Sequence, residues 1–260
     1  MNDHQEFENQ RIIETKKQGS DKDFVKASRN WIEQSIRHNY SYHFDWLGMP
    51  IIQYPQDIIG LQQIIWSTKP DLIIETGIAR GGSLIFYSSM LELLSHCGGP
   101  KDSRVVGIDI NIREPNRISV MDHPLSKRIE MIEGSSINLE VYEKVLAYAS
   151  GSSSVMVCLD SNHTHDHVLR ELRLYAPLVT KNCYIVVFDT IVEDLPESHI
   201  IDRPWSKGNN PKTAVNDFLH EITVTDPKGV DGVPLKFQID KSLEDSLLIT
   251  VASSGYLKRL

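Results

Sequence analysis

Five short apolar runs recur through the middle of the chain, at 71–75, 104–109, 128–132, 155–160 and 184–189, each too short for a helix. They are apolar at successive rather than alternate positions, the pattern of strands covered on both faces, and that condition is met in a parallel sheet wrapped by helices. Helical patterns at 82–95, 138–149, 166–174 and 212–221 fill the intervals and give the spacing of βα units. Near the end the order changes. Residues 237–239 and 246–251 read as strands that follow one another across 240–245 with no helix between them, which predicts an antiparallel pair closing the sheet.

Before this α/β region the chain reads as helical. Residues 3–18 are polar and weakly amphipathic, whereas Phe24, Ala27, Trp31, Ile32 and Ile36 recur at helical spacing, and 57–68 is again amphipathic. The aromatic stretch 40–48 lies between; it is either a packed hinge against the main body or a cap facing a substrate. The expected organisation is an N-terminal helical extension over 1–56 and one main domain over 57–260.

Charge narrows the partners. With 27 Lys and Arg against 35 Asp and Glu, the net charge is −8 and no basic run appears, which argues against a phosphate-backbone surface. Cys97, Cys158 and Cys183 form no CxxC pair and are odd in number, so they read as reduced, packed thiols. The N-terminal stretch is charged where a signal peptide needs an apolar core, and no apolar run reaches the roughly 18 residues of a membrane span. The expected location is the cytoplasm, and the helical lead-in with its aromatics suggests a homo-oligomer.

In a doubly wound sheet, ligands bind outside the carboxyl ends of the strands. Four of the five runs close there on an acid, Glu75, Asp109, Asp160 and Asp189, and the third runs into Glu133-Gly134-Ser135-Ser136. Four acids at equivalent positions predict a lined crevice. The loop after Glu75, Thr76-Gly-Ile-Ala-Arg-Gly-Gly-Ser83, opens a helix, and its glycines at 77, 81 and 82 would let backbone approach a ligand and adopt positive φ. Its spacing is not the G-x-G-x-x-G of a dinucleotide site, which argues against NAD. An acid just before the first glycine suits a cationic amino group, and Asp109 suits two ribose hydroxyls.

This combination resembles the seven-stranded S-adenosylmethionine-dependent methyltransferases. Four segments sharpen the resemblance: 46–55 (WLGMPIIQYP), 69–83 (KPDLIIETGIARGGS), 159–163 (LDSNH) and 203–215 (RPWSKGNNPKTAV). Together, over roughly residues 40–250, they are similar to the family of cephalosporin hydroxylases and rhamnosyl O-methyltransferases, the CmcI-like proteins. The fold implied is a Rossmann-like α/β sheet of seven mostly parallel strands with an antiparallel C-terminal pair.

The resemblance also implies roles. Glu75, Gly77, Ala79, Arg80, Gly81 and Ser83 would hold the methionine end of the cofactor, with Asp160 close by; Asp109 would hold the ribose, and Gly134, Ser135 and Ser136 the adenine edge. Related sugar methyltransferases bind a divalent cation, such as Mg²⁺, through an acid after the fourth strand and two adjacent acids after the fifth. Asp160 and Asp189 match, but Phe188 stands where one acid is usual, with Glu193 and Asp194 as candidate substitutes. His163 matches the family's acid-x-x-His base, which takes the proton of the acceptor hydroxyl. His165, Asp166 and His167 read instead as the cap of the next helix, and 204–211 as a lid or an N-cap. The expected reaction is O-methylation of a sugar or secondary metabolite.

Two alternatives stand beside it. A non-haem iron, 2-oxoglutarate-dependent hydroxylase would use His43 and Asp45 with a distant histidine such as His163, although no jelly-roll pattern follows. A non-catalytic S-adenosylmethionine-binding protein would have lost its metal site at Phe188.

Overall fold

The computed structural model describes residues 2–199 and 202–260. Two helices lead, α1 (Asp3–Ser20) and α2 (Lys22–Arg37), followed by a hairpin of β1 (Phe44–Trp46) and β2 (Met49–Ile51), then α3 (Pro55–Thr68). From there strand and helix alternate: β3 (Leu72–Thr76), α4 (Gly82–His96), β4 (Arg104–Asp109), α5 (Glu114–Met121), β5 (Ile129–Glu133), α6 (Leu139–Ala149), β6 (Val155–Leu159), α7 (His165–Tyr175) and β7 (Tyr184–Val187). The chain closes with α8 (Pro211–Thr225), β8 (Phe237–Ile239), α9 (Lys241–Leu247) and β9 (Tyr256–Arg259).

The main sheet has seven strands in the order β5-β4-β3-β6-β7-β9-β8, parallel except where β9 meets β7 and β8. β3 and β6 are buried along their whole length, as their unbroken apolar runs require. The chain leaves β3 toward β4 and leaves β6 toward β7, so the order reverses between these two neighbours. The crevice of the fold therefore opens over Glu75, Thr76 and Asp160. Asp160 donates its backbone N–H to the Thr76 carbonyl at 2.9 Å, locking the two strand ends together.

The C-terminal expectation needs correction. The closing pair is antiparallel, but its second strand is β9, not 246–251, and α9 intervenes. Asp240 accepts from the Leu243 N–H at 3.1 Å as N-cap, and Lys241 pairs with Asp245 one turn on, which starts a short helix. The apolar run after it is half-buried where the chain crosses the end of the sheet and Val251 accepts from the Ile191 N–H; it does not pair as a strand. α5 also lay outside the expected helices; it is short, buries only Val120, and has a proline in its first turn.

The N-terminal region contributes unevenly. α1 buries nothing, whereas the β1–β2 hairpin sends Met49 and Ile51 into the main core. The aromatic stretch packs at one end and is exposed at another. Tyr40 stacks among Trp31, Phe44 and Tyr54, and Tyr42 is exposed at the crevice. Cys158 and Cys183 are buried free thiols, but Cys97 is exposed after α4, contrary to a packed reading of all three.

Candidate functional site

Glu75 is the penultimate residue of β3 and has no solvent exposure; its Oε2 accepts from the Ser83 hydroxyl at 2.7 Å while Oε1 has no hydrogen-bond partner among the described residues. Burial pushes its carboxyl up to about 8, against the pull of the Ser83 hydrogen bond. The following loop turns sharply: Gly77, Ala79 and Gly81 all have positive φ, and Gly81 is the N-cap of α4. A Cβ on Gly77 would run into the Asp160 carbonyl and lie 3.0 Å from Ser161 Cα. Gly82 differs from expectation. It lacks positive φ and instead admits the hairpin, since a Cβ there would stand 2.6 Å from the Pro50 carbonyl carbon. Its smallness serves chain packing, and Gly82 also lines the smaller cavity of the crevice.

Asp109 ends β4. Its Oδ2 accepts from the Ile78 and Ala79 N–H groups at 2.9 and 3.3 Å, and Oδ1 accepts from Asn111 N–H at 3.0 Å. A carboxylate has about four acceptor positions, so one remains for a ligand while the others hold the loop. Gly134, with φ of 146°, turns the chain out of β5 and presents Ser135 and Ser136.

Two cavities meet over Gly77, Ala79, Asp160 and Ser161. The larger, about 440 Å³, is bounded by Asp109, Ile110, Ser135, Ser136, His167 and Trp205. The smaller, about 290 Å³, is bounded by Arg80, Ser83, His163, Asp189, Gln53 and Tyr42. Glu75, Gly81 and Gly134 line neither; they support the residues that do.

On the smaller cavity's side of the seam, single ligand atoms of Asp160, His163 and Asp189 all lie within 4.8 Å of one another. His163 Nε2 stands 3.3 Å from Asp189 Oδ2, and its ring packs edge-on against Trp205 at 4.8 Å. Burial raises the Asp160 carboxyl well above the usual range, and the negative charges of Asp189, Glu75 and Asp57 raise it further. Gln53 answers part of that demand by donating Nε2–H to Asp160 Oδ2 at 3.0 Å. Phe188 is 1% exposed and belongs to the core, so it offers the crevice nothing. Glu193 and Asp194 do not replace it: Glu193 accepts from Gly208 N–H and Asn210, and Asp194 pairs with Lys212 at 2.6 Å.

The neighbouring histidines do not cap α7, whose N-cap is Thr164. His165 bonds Thr213 at 2.8 Å, joining α7 to α8, while His167 Nε2 meets Ser136 Oγ at 3.1 Å on the wall of the larger cavity. Segment 204–211 serves as both cap and wall, since Asn210 caps α8 and Trp205 covers His163. His43 and Asp45 belong to no cluster of three potential ligands among the described residues, so the expected iron set is not assembled.

The profile of the family described as "Rhamnosyl O-methyltransferase/CmcI" matches residues 38–260. The chain belongs to that family. It is an S-adenosylmethionine-dependent O-methyltransferase. A rhamnosyl O-methyltransferase of Mycobacterium leprae (strain TN) is 25% identical over 217 residues, covering 82% of each chain. Its counterpart in Mycobacterium bovis (strain BCG / Pasteur 1173P2) is 26% identical over 218 residues, covering 82% of this chain and 77% of that one. Among solved structures, the Mg-SAM form of CmcI superposes with a TM-score of 0.53 at 16% identity, over 84% of this chain and 77% of its own. The likeness to CmcI carries the fold. No helix among the described residues is long and apolar enough to cross a membrane.

The methyltransferase crevice has a donor set that fits its cofactor. The strand-end carboxylate of Asp109 and the two serines at 135 and 136 line the larger cavity, and a buried Glu75 oxygen without a hydrogen-bond partner among the described residues lies behind its loop. The Asp160, His163 and Asp189 cluster fits a divalent cation in size and chemistry. Gln53, Ser161, His167 and Trp205 escaped the sequence reading of the site. Gln53 and Trp205 do lie within the quoted segments 46–55 and 203–215, but nothing local marks which side chain of those segments turns inward.

Proposed function

We propose that this methyltransferase works in the cytoplasm and transfers the methyl group of S-adenosylmethionine to a hydroxyl of a sugar, such as a rhamnosyl unit, or of a glycosylated natural product. The observation that carries the reading is the Asp160, His163 and Asp189 cluster at the seam of two cavities, where a donor on one side and an acceptor on the other would meet. In this reading the nucleoside lies in the larger cavity between Asp109 and Ser136, and the amino-acid end reaches the Glu75 loop. The acceptor enters the smaller cavity beside Tyr42, whose exposed ring suits the apolar face of a sugar. The unpaired thiols accord with a reducing compartment.

The chemistry asks for alignment and one base, because the sulfonium methyl is already activated. His163 takes the hydroxyl proton as the oxygen attacks the methyl carbon. The C–S bond breaks and the electron pair stays on sulfur, leaving S-adenosylhomocysteine. Asp189, 3.3 Å from the ring, stabilises the imidazolium that forms. Trp205 holds the ring edge-on and shields it from water. Asp160 and Asp189 would hold a divalent cation which, when bound, orients acceptor oxygens and favours their ionised form.

Calorimetric titration with S-adenosylhomocysteine, with NAD as control, tests the cofactor assignment, and methyl transfer from labelled S-adenosylmethionine to rhamnosides tests the acceptor class. His163→Ala should lower turnover by about 10²–10⁴-fold while leaving S-adenosylhomocysteine affinity intact. Absence of S-adenosylhomocysteine binding by the wild type overturns the reading. Loss of Mn²⁺ affinity in His163→Ala would make the ring a metal ligand and not the base, a reading favoured by its place in the cluster.

A further inference from the structure

We propose that Gln53 replaces the missing acid at Phe188, its side-chain carbonyl serving as the third protein ligand of a divalent cation held by Asp160 and Asp189. This rests on the methyltransferase reading of the crevice. Gln53 follows the β1–β2 hairpin, 107 residues before Asp160 in the chain, yet it is 4% exposed and lines the smaller cavity. Its amide nitrogen faces a carboxylate, which determines which end of the amide is free. The carbonyl oxygen Oε1 is fully buried and has no hydrogen-bond partner among the described residues. A buried acceptor of that kind is destabilising unless something positive completes it.

Among the described residues lining this cavity, the group that can carry positive charge at the cluster is His163, which faces Asp189 at 3.3 Å. Asp160, Asp189, Glu75 and Asp57 together bring four acids to this end of the sheet, and they act on Asp160 as repelling charges. Among the described residues, Arg80 is the one permanently cationic side chain on the cavity wall, and it is exposed. Water does not reach Oε1, but a metal–oxygen bond of about 2.1 Å takes less room than a hydrogen-bonded water. Two carboxylates and an amide oxygen form a hard, all-oxygen set suited to Mg²⁺ or Mn²⁺. One arm of Gln53 steadies the Asp160 carboxylate while the other completes the shell.

The test uses the full chain with S-adenosylhomocysteine bound and Mn²⁺ as probe, read by the free-ion electron paramagnetic resonance signal. Gln53→Met keeps the side-chain volume and removes the carbonyl; it should weaken Mn²⁺ about 10–100-fold. Gln53→Glu restores the acid that the family places nearby and should tighten Mn²⁺ by about tenfold. Wild-type affinity in Gln53→Met, weaker binding in Gln53→Glu, or no Mn²⁺ binding by the wild type overturns the proposal. Should Gln53→Met fail to fold, Gln53→Glu still decides. Because each sample is first titrated with S-adenosylhomocysteine, failure of the methyltransferase reading shows separately, as loss of that binding in the wild type.

Discussion

Replacing Gly77 by alanine tests how the crevice is built. A methyl group at 77 would collide with the Asp160 carbonyl, 2.6 Å from its carbon and 3.0 Å from Ser161 Cα, in a backbone with φ of 93°. The positive φ costs about 1–2 kcal/mol for an L side chain, and overpacking against rigid backbone adds about 1–3 kcal/mol. Gly208 separates the two contributions: its φ is 79°, but nothing lies within 4 Å of a Cβ there. Gly208→Ala should therefore carry only the conformational cost. Gly77→Ala should be less stable than Gly208→Ala by about 3 kcal/mol at most, equivalent to a melting point lower by ~6–12 °C in a chain near this length. Thermal melts of the two variants in one buffer measure the difference. Its displaced Asp160 should also weaken S-adenosylhomocysteine binding, read by calorimetry. Equal melting points for the two variants would refute the close approach of β3 and β6 as the reason for the glycine.

Two further outcomes follow from buried acids. Glu75 has a folded pKa of about 8 against an ordinary 4.5, so between those values the folded chain binds more protons than the unfolded one. Its contribution to stability is therefore present at pH 4.5 and lost as pH rises through 8. Glu75→Gln should melt above the ligand-free wild type at pH 8 but not at pH 4.5, and a constant difference across that range would sink the argument. Asp57, buried in α3 with its carboxyl pushed up to about 6, accepts from Tyr256 Oη at 2.7 Å and Val251 N–H at 3.1 Å. Asp57→Ala strands the Val251 N–H and leaves Tyr256 Oη only Thr250 Oγ1 at 3.4 Å, and should lower unfolding free energy by at least about 1–3 kcal/mol in urea denaturation; a loss well under about 1 kcal/mol, the net worth of one ordinary hydrogen bond, would show that the N–H finds another partner.

Much of the architecture was legible because strand-sized apolar runs and helical periodicity are local signals. The runs at 155–160 and 184–189 needed only their own residues to be read, and β6 and β7 lie there. The run at 246–251 shows where that logic fails. Leu247, Leu248, Ile249 and Val251 look like a strand, but partial burial of Leu247 against the main core and of Ile249 and Val251 beside Ile191 accounts for their apolarity as well as sheet pairing would. His167 shows a similar limit: its neighbours in sequence suggest a helix cap, whereas its partners Ser136 and Ser161 face it from two other strand ends.

The sequence by itself determined that this chain forms a doubly wound sheet and that Glu75, Asp109, Asp160 and Asp189 gather along one edge, since such a sheet sends every parallel strand's carboxyl end to the same side. It also showed that Phe188, an apolar residue, precedes Asp189 where the family resemblance implies an acid. Only the tertiary structure decided what faces those acids. Gln53 reaches Asp160 across 107 residues and Asp57 reaches Val251 across 194, contacts set by how the hairpin and the chain after α9 close over the sheet. The physical reason is range: propensity and periodicity act over a few residues, whereas the pairing of a buried donor with a buried acceptor depends on which distant segments the packed core brings together.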